Sequence, residues 1–287
     1  MTPAAAPFLA LAAALGFALA RVIVKRALPH TTPVTAVASS VLFTGTVLWI
    51  VAALTAPLAP LATTAIWPFA IAGLLAPGLA RLLVYVGIDR VGAARASAIA
   101  PIAPFSAILL AVAFLGERPP GSLLAGAACI VIGTVLLSHQ EQTGPAWRRR
   151  DLIFPFLGAV AFGLRDVISR AGLQAFPHPA VAAVVATMTS AIVIAAFAGR
   201  QRGEIRADRT GIGLLVLSGV FEGLGSLALW TALSVGNVSV VTPLANAQPM
   251  FTVVLAAILL RDLERVTWRV AVGTMAMVAG AVLVIRS

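Results

Sequence analysis

Runs of roughly twenty apolar residues alternate with short polar or proline-bearing breaks about ten times along the chain. The runs fall at approximately 8–28, 33–54, 66–88, 93–115, 120–138, 152–173, 178–198, 210–234, 238–260 and 267–285. At 1.5 Å of rise per residue, each is about long enough to carry a helix through a hydrocarbon layer ~30 Å thick. The breaks hold turn residues: Pro29 and Pro33, Pro57 and Pro60, Arg118-Pro119-Pro120, Pro177 and Pro179. This pattern predicts an all-α, polytopic membrane protein of ten transmembrane helices. The first run ends in Arg21, Lys25 and Arg26 with no cleavage signal after it, so it reads as a retained helix. The longest connection, about a dozen residues from Gln140 to Asp151, leaves no room for a soluble catalytic head.

The pattern also repeats. Arg21, Arg26 and Pro33 return as Arg165, Arg170 and Pro177, each 144 residues on. Pro104 matches Pro249 and Glu117 matches Asp262 at 145, and Gly126 and Gly133 match Gly273 and Gly280 at 147. The ordered series predicts two five-helix repeats, residues 1–144 and 145–287. Because five is odd, the second repeat enters the membrane from the opposite face, which gives inverted repeats around a shared site.

Composition agrees with a lipid solvent. Charged residues make up 10% of the 287 and hydrophobic ones 60%, with a mean hydropathy of +1.03. Those are too few polar groups to coat a water-facing surface. The formal charge of +10 therefore points to arginines anchored on anionic lipid, not to nucleic acid. The single cysteine, Cys129, excludes a disulfide framework or a cysteine metal site. His30, His139 and His178 fall near helix ends without metal or triad spacing, so no metal, no cofactor and no enzymatic activity are expected. Nineteen arginines to one lysine, with abundant alanine, suit a GC-rich bacterial genome and hence a bacterial inner membrane.

Charges inside hydrocarbon are expensive and usually face a cavity or a partner. The candidates are Arg21 in the first run, Arg81 in the third, Arg165 and Asp166 in the sixth and Glu222 in the eighth. Arg21 can instead snorkel to the interface, and Asp166 can simply pair with a neighbouring arginine. Arg21 and Arg165 are equivalent by the repeat, and side by side they repel unless a carboxylate or an anionic ligand lies between them. Glu222 lies between Gly219 and Gly223, where helices can approach closely. Glu222 and Asp166 are the candidates for proton coupling. Asn246, flanked by Pro243 and Pro249, heads a polar cluster in the ninth run, against the alternative of an interhelical hydrogen bond. Pro101, Pro104, Pro243 and Pro249 free backbone carbonyls and are candidate hinges. Tyr85 and Trp230, matched by the repeat, are the first choices for aromatic cavity walls, although both residue types also anchor helices at interfaces.

One arrangement recurs in both halves. In the first it runs Tyr85-Val86-Gly87, Ala93 to Ala100, Pro101-Ile102-Ala103-Pro104, Gly116-Glu117-Arg118, then Gly126 and Gly133. In the second it runs Trp230-Thr231-Ala232, Val238 to Pro243, Asn246, Pro249, Arg261-Asp262, then Gly273 and Gly280. Over nearly its whole length the chain thus resembles the drug/metabolite transporter superfamily, in its EamA-type branch. Arg261-Asp262, followed by Glu264, departs from the commoner Gly-Glu turn. The resemblance implies a ten-helix transporter of amino acids or other small metabolites around a central cavity.

The expected function is secondary transport, in the export direction, of amino acids or similar polar metabolites by alternating access. An arginine takes the substrate carboxylate and Glu222 or Asp166 its amine. Organic anions or phosphorylated metabolites are the alternative that the arginine excess favours; lipid translocation is a further one. Partners are a small-molecule metabolite and membrane lipid. One chain of ten helices can enclose a cavity, so a monomer suffices. Thirteen basic residues flank the odd-numbered connections against three (Arg118, Arg170, Arg286) on the side of the termini. The positive-inside rule then places both termini outside, whereas the family resemblance implies cytoplasmic termini.

Overall fold

A computed structural model describes residues 2–55, 64–91, 96, 99–138, 148–198, 207–259 and 268–287. Residues 93–95, 97 and 98 of the small-residue stretch and the second acidic turn, Arg261-Asp262 with Glu264, lie outside the described residues, as does the side chain of Tyr85. The described chain is helical apart from turns and an isolated antiparallel bridge between Thr31 and Ala207.

The helices are α1 (Ala6–Ala27), α2 (Pro33–Thr55), α3 (Trp67–Gly73), α4 (Ala80–Val91), α5 (Ile102–Leu115) and α6 (Gly121–Ser138). They continue with α7 (Ile153–Ala175), α8 (Pro179–Ala198), α9 (Arg209–Val235), α10 (Val238–Ala245), α11 (Gln248–Leu259) and α12 (Trp268–Arg286). Among the described residues, seven helical stretches are long and apolar enough to cross a bilayer, and three shorter apolar helices accompany them. The protein is an all-α, multi-pass membrane protein.

Three predicted runs are not continuous. Ala76, with φ −151° and ψ 134°, leaves helical geometry before Pro77 and separates α3 from α4. Pro77 has no N–H for the helical ladder, and its ring crowds the residue before it. The ninth run turns at Asn246–Ala247 between α10 and α11. The predicted helix over 93–115 likewise shows a turn at Ala100–Pro101 ahead of α5.

Many large side chains face outward, and on α1 small ones face inward. Phe8, Leu54, Leu109, Phe114 and Ile192 are exposed, as a lipid-facing surface requires, while Ala10, Ala13, Ala14, Ala18 and Ala20 on α1 are fully buried. With lipid tails as apolar as leucine, helix association depends on close backbone approach, which small residues permit. A Cβ on Gly16 of α1 would lie 2.9 Å from Gly225 Cα on α9. The α6–α12 crossing is reciprocal: a Cβ on Gly126 would meet Gly280 O at 2.7 Å and one on Gly280 would meet Gly126 O at 2.5 Å. Gly133 and Gly273 face each other in the same way, at 2.5 and 2.9 Å.

At one end of the bundle, Asp208 caps α9 by accepting the Gly211 N–H at 2.7 Å and contacts His30 Nδ1 at 2.8 Å. These hydrogen bonds, the Gly211 amide first, hold the exposed Asp208 carboxyl below the usual carboxylate range. Arg90 and Asp151 approach to 3.3 Å, with the Arg90 guanidinium 4.5 Å above the Phe154 ring centroid.

Candidate functional site

Between the helices lies a cavity of about 640 Å³. Its wall reaches the end turns of α2 at Ala36, α4 at Ile88 and α7 at Pro155, so the mouth lies there. In the other direction it stops at Trp230 and Thr242. Past that limit Phe69, Phe176 and Trp230 form an aromatic layer, with Phe69 ring centroids 5.9 Å from Phe176 and 5.8 Å from Trp230. The rings are tilted or edge-on, the arrangement their quadrupoles favour.

Of the eight expected cavity residues, Arg21, Arg81, Arg165, Asp166, Glu222, Trp230 and Asn246 line this single space. Arg81 Nη2 on α4 lies 3.7 Å from Glu222 Oε1 on α9, and each side chain keeps about a quarter of its surface exposed (26% and 25%). Glu222 can sit there because its glycine neighbours let α2 close in: a Cβ on Gly223 would be 2.9 Å from Val47, and one on Gly219 would strike Phe43.

The second pair is deeper. Arg165 Nε and Asp166 Oδ1 are 2.7 Å apart, yet neither atom is satisfied by a well-directed hydrogen bond. Adjacent residues on one helix bring the charges together without aligning the N–H on the carboxylate. Asp166 Oδ2 accepts from Thr242 Oγ1 on α10 at 2.8 Å. Asn246 Nδ2 donates to Thr242 O at 2.8 Å, so its side-chain bond stays within its own segment and is not interhelical. The Arg165 guanidinium also lies 5.8 Å from the Phe162 ring centroid.

The candidate hinge prolines take different places. Pro101 precedes α5, Pro104 and Pro249 stand in first turns of α5 and α11, and Pro243 alone lies inside a helix. The cavity is lined instead by Pro77 and Pro155. Pro77, at the break before α4, was not among the expected hinges.

Uncharged polar residues were missed on α2 and α8. Ser40 and Thr44 lie one turn apart on α2, as do Thr187 and Ser190 on α8 and Glu222 and Ser226 on α9. That spacing inside apolar runs is the signal that marks them. Thr44 Oγ1 and Gln248 Nε2 are buried with no hydrogen-bond partner among the described residues. Buried polar atoms are normally paired, which marks these two as the uncharged unpaired groups of the wall. Among the described residues, no group of three or more His, Cys, Asp or Glu could hold a metal ion.

The sequence model of the EamA-like transporter family matches the chain twice, over residues 4–139 and 150–286. The chain belongs to the EamA-like transporter family. No curated protein matches it by sequence. Among 29 matching solved chains, one crystal structure aligns with a TM-score of 0.81 at 18% identity, covering 98% of this chain and 96% of its own. At that identity the likeness establishes the fold. As an EamA-like protein, this chain is a secondary transporter that works by alternating access, not an enzyme.

Proposed function

We propose that this EamA-like transporter exports amino acids or similar small polar metabolites across a bacterial inner membrane. The observation that carries the reading is the facing of both signs of charge onto one cavity: Arg81 with Glu222, and Arg165 with Asp166. A zwitterion presents the same two charges. At 3.7 Å the Arg81–Glu222 pair is loose, and a zwitterion entering between the partners leaves each with a counter-charge. The desolvation that makes lone charges costly in such a site is then offset by the substrate itself. Glu222, which reaches the cavity, and Asp166 are the groups we assign to proton coupling.

The architecture we assign is ten transmembrane helices in two inverted repeats, residues 1–144 and 145–287. Two separate family matches support it. So does the α6–α12 crossing: a two-fold axis that exchanges Gly126 with Gly273 and Gly133 with Gly280 maps the Gly126–Gly280 contact onto Gly273–Gly133.

Counterflow in proteoliposomes tests the substrate class, with labelled amino acids and a panel of organic anions. Amino-acid counterflow is expected, falling at least tenfold in Glu222→Gln and in Arg81→Ala, the loss of about one charged contact. A second reading rests on the excess of cations in the wall, Arg21, Arg81 and Arg165 against two carboxylates. Exchange of anions alone would replace the zwitterion with an organic anion or phosphorylated metabolite.

A further inference from the structure

At the end of the bundle away from the cavity mouth, α5 stops at Gly116 in the left-handed region, φ 67° and ψ 21°. Glycine carries no Cβ penalty there. The N–H groups of Gly116 and Glu117 turn back to Ala111 O, the latter at 3.3 Å. The reversal carries Glu117 to the start of α10. Glu117 Oε1 accepts the Val238 N–H at 2.7 Å and Oε2 the Ser239 N–H at 2.9 Å, and Oε2 also accepts the Ser239 hydroxyl. One carboxylate thus serves two of the amides a helix start leaves unpaired, where the helix dipole favours negative charge.

The other side of the same turn is also held. Arg170 Nη1 on α7 donates to Leu233 O at 2.9 Å and Ser234 O at 2.8 Å, the last carbonyls of α9. The α9–α10 turn is therefore gripped by an anion on its amides and a cation on its carbonyls. Beyond that turn, α10 carries Thr242, which holds Asp166, and leads to Asn246 in the cavity wall. A displacement of the α10 start would carry Thr242, at the closed limit of the cavity, with it.

We propose that Glu117 is a positioning residue for alternating access: its carboxylate latches α10 over the closed end, and its release from Val238 and Ser239 opens the cavity to that face. The latch suits repeated use. Its bonds are charge-assisted and hence strong when made. It also sits part-buried at a bundle end, where water can take over the freed groups. The Asp166–Thr242 bond, by contrast, is buried. The inference goes beyond the substrate assignment and does not depend on it.

The test is sided labelling in oriented proteoliposomes. Ser226→Cys, in a Cys129→Ala background, places a thiol in the cavity wall, and a membrane-impermeant maleimide is applied from each face in turn. In Glu117→Gln one carboxylate oxygen becomes an NH2 that cannot accept from an amide. The expected result is about a tenfold faster reaction from the closed face with no rise from the mouth, as the loss of a charge-assisted contact allows. Ser239→Ala should show a smaller rise, and Glu117→Asp should restore part of the closure. An unchanged closed-face rate in folded Glu117→Gln overturns the proposal, and so do rates that rise equally from both faces, the mark of a merely loosened bundle. If Glu117→Gln does not fold, Ser239→Ala decides, since it removes only one of the three bonds. Because labelling needs no substrate, its outcome is separate from that of the counterflow experiment.

Discussion

Two threonines in the cavity wall differ only in what their hydroxyls touch, and that difference fixes what their removal does. Thr242 Oγ1 is a donor to the buried Asp166 carboxylate, whereas Thr44 Oγ1 is buried without a partner among the described residues. Thr242→Val strips a buried charge of its hydrogen bond and should cost about 1–3 kcal/mol. Thr44→Val removes a hydroxyl that bonds none of the described residues and should leave stability level or raise it. Thermal unfolding in detergent separates the two, and equal losses would mean that Thr44 has a structural bond after all. At this scale the sequence was informative about charge and poor about hydroxyls. A carboxylate such as Glu222 in an apolar run is conspicuous because hydrocarbon penalises it. A threonine is not, because it can bond the carbonyl one turn back, as Thr46 does to Leu42 O at 2.9 Å. Residue type alone therefore does not distinguish Thr44 from Thr46.

Helices were legible as apolar runs, because only a helix satisfies its backbone within a single segment in lipid. Their interruptions were harder to read. A proline disrupts a helix only if its missing N–H falls past the first turn. Pro104 and Pro249 fall in first turns while Pro77 stands at a real break, and sequence does not fix where those helices begin. Small residues were legible as periodic glycines, and the structure distinguishes those that bring helices together from those that do not. Gly133→Ala would place a methyl 2.5 Å from Gly273 O, whereas nothing lies within 4 Å of a Cβ on Gly213. The first substitution should destabilise by about 1–3 kcal/mol through overpacking. The second should be neutral, or stabilising by up to about 1 kcal/mol, through helix propensity. Parallel melting curves check both, and a tolerated Gly133→Ala would mean that α6 and α12 stand further apart than described.

For the molecule as a whole, the basic residues and the cavity mouth lie at the same end. Arg90, Arg148, Arg149 and Arg150 gather beside the α4 and α7 turns where the cavity opens. The charge rule predicts that this end is cytoplasmic, and the exporter proposed above would then be open to its supply in this state. In whole cells of a Cys129→Ala background, an impermeant maleimide should label Arg118→Cys from outside and spare Arg149→Cys. The opposite result would turn the mouth outward and make this the releasing state. Either way, the one-ended cavity shapes the membrane voltage. Water entering from the mouth carries that face's potential down to Glu222 and Trp230, so most of the drop is concentrated over the short layer of Phe69, Phe176 and Trp230. A net charge crossing that layer exchanges about 2.3 kcal/mol with the field per 100 mV. A zwitterion crosses it without electrical work, and a proton or an anion moving with it makes release the voltage-sensitive step of the cycle.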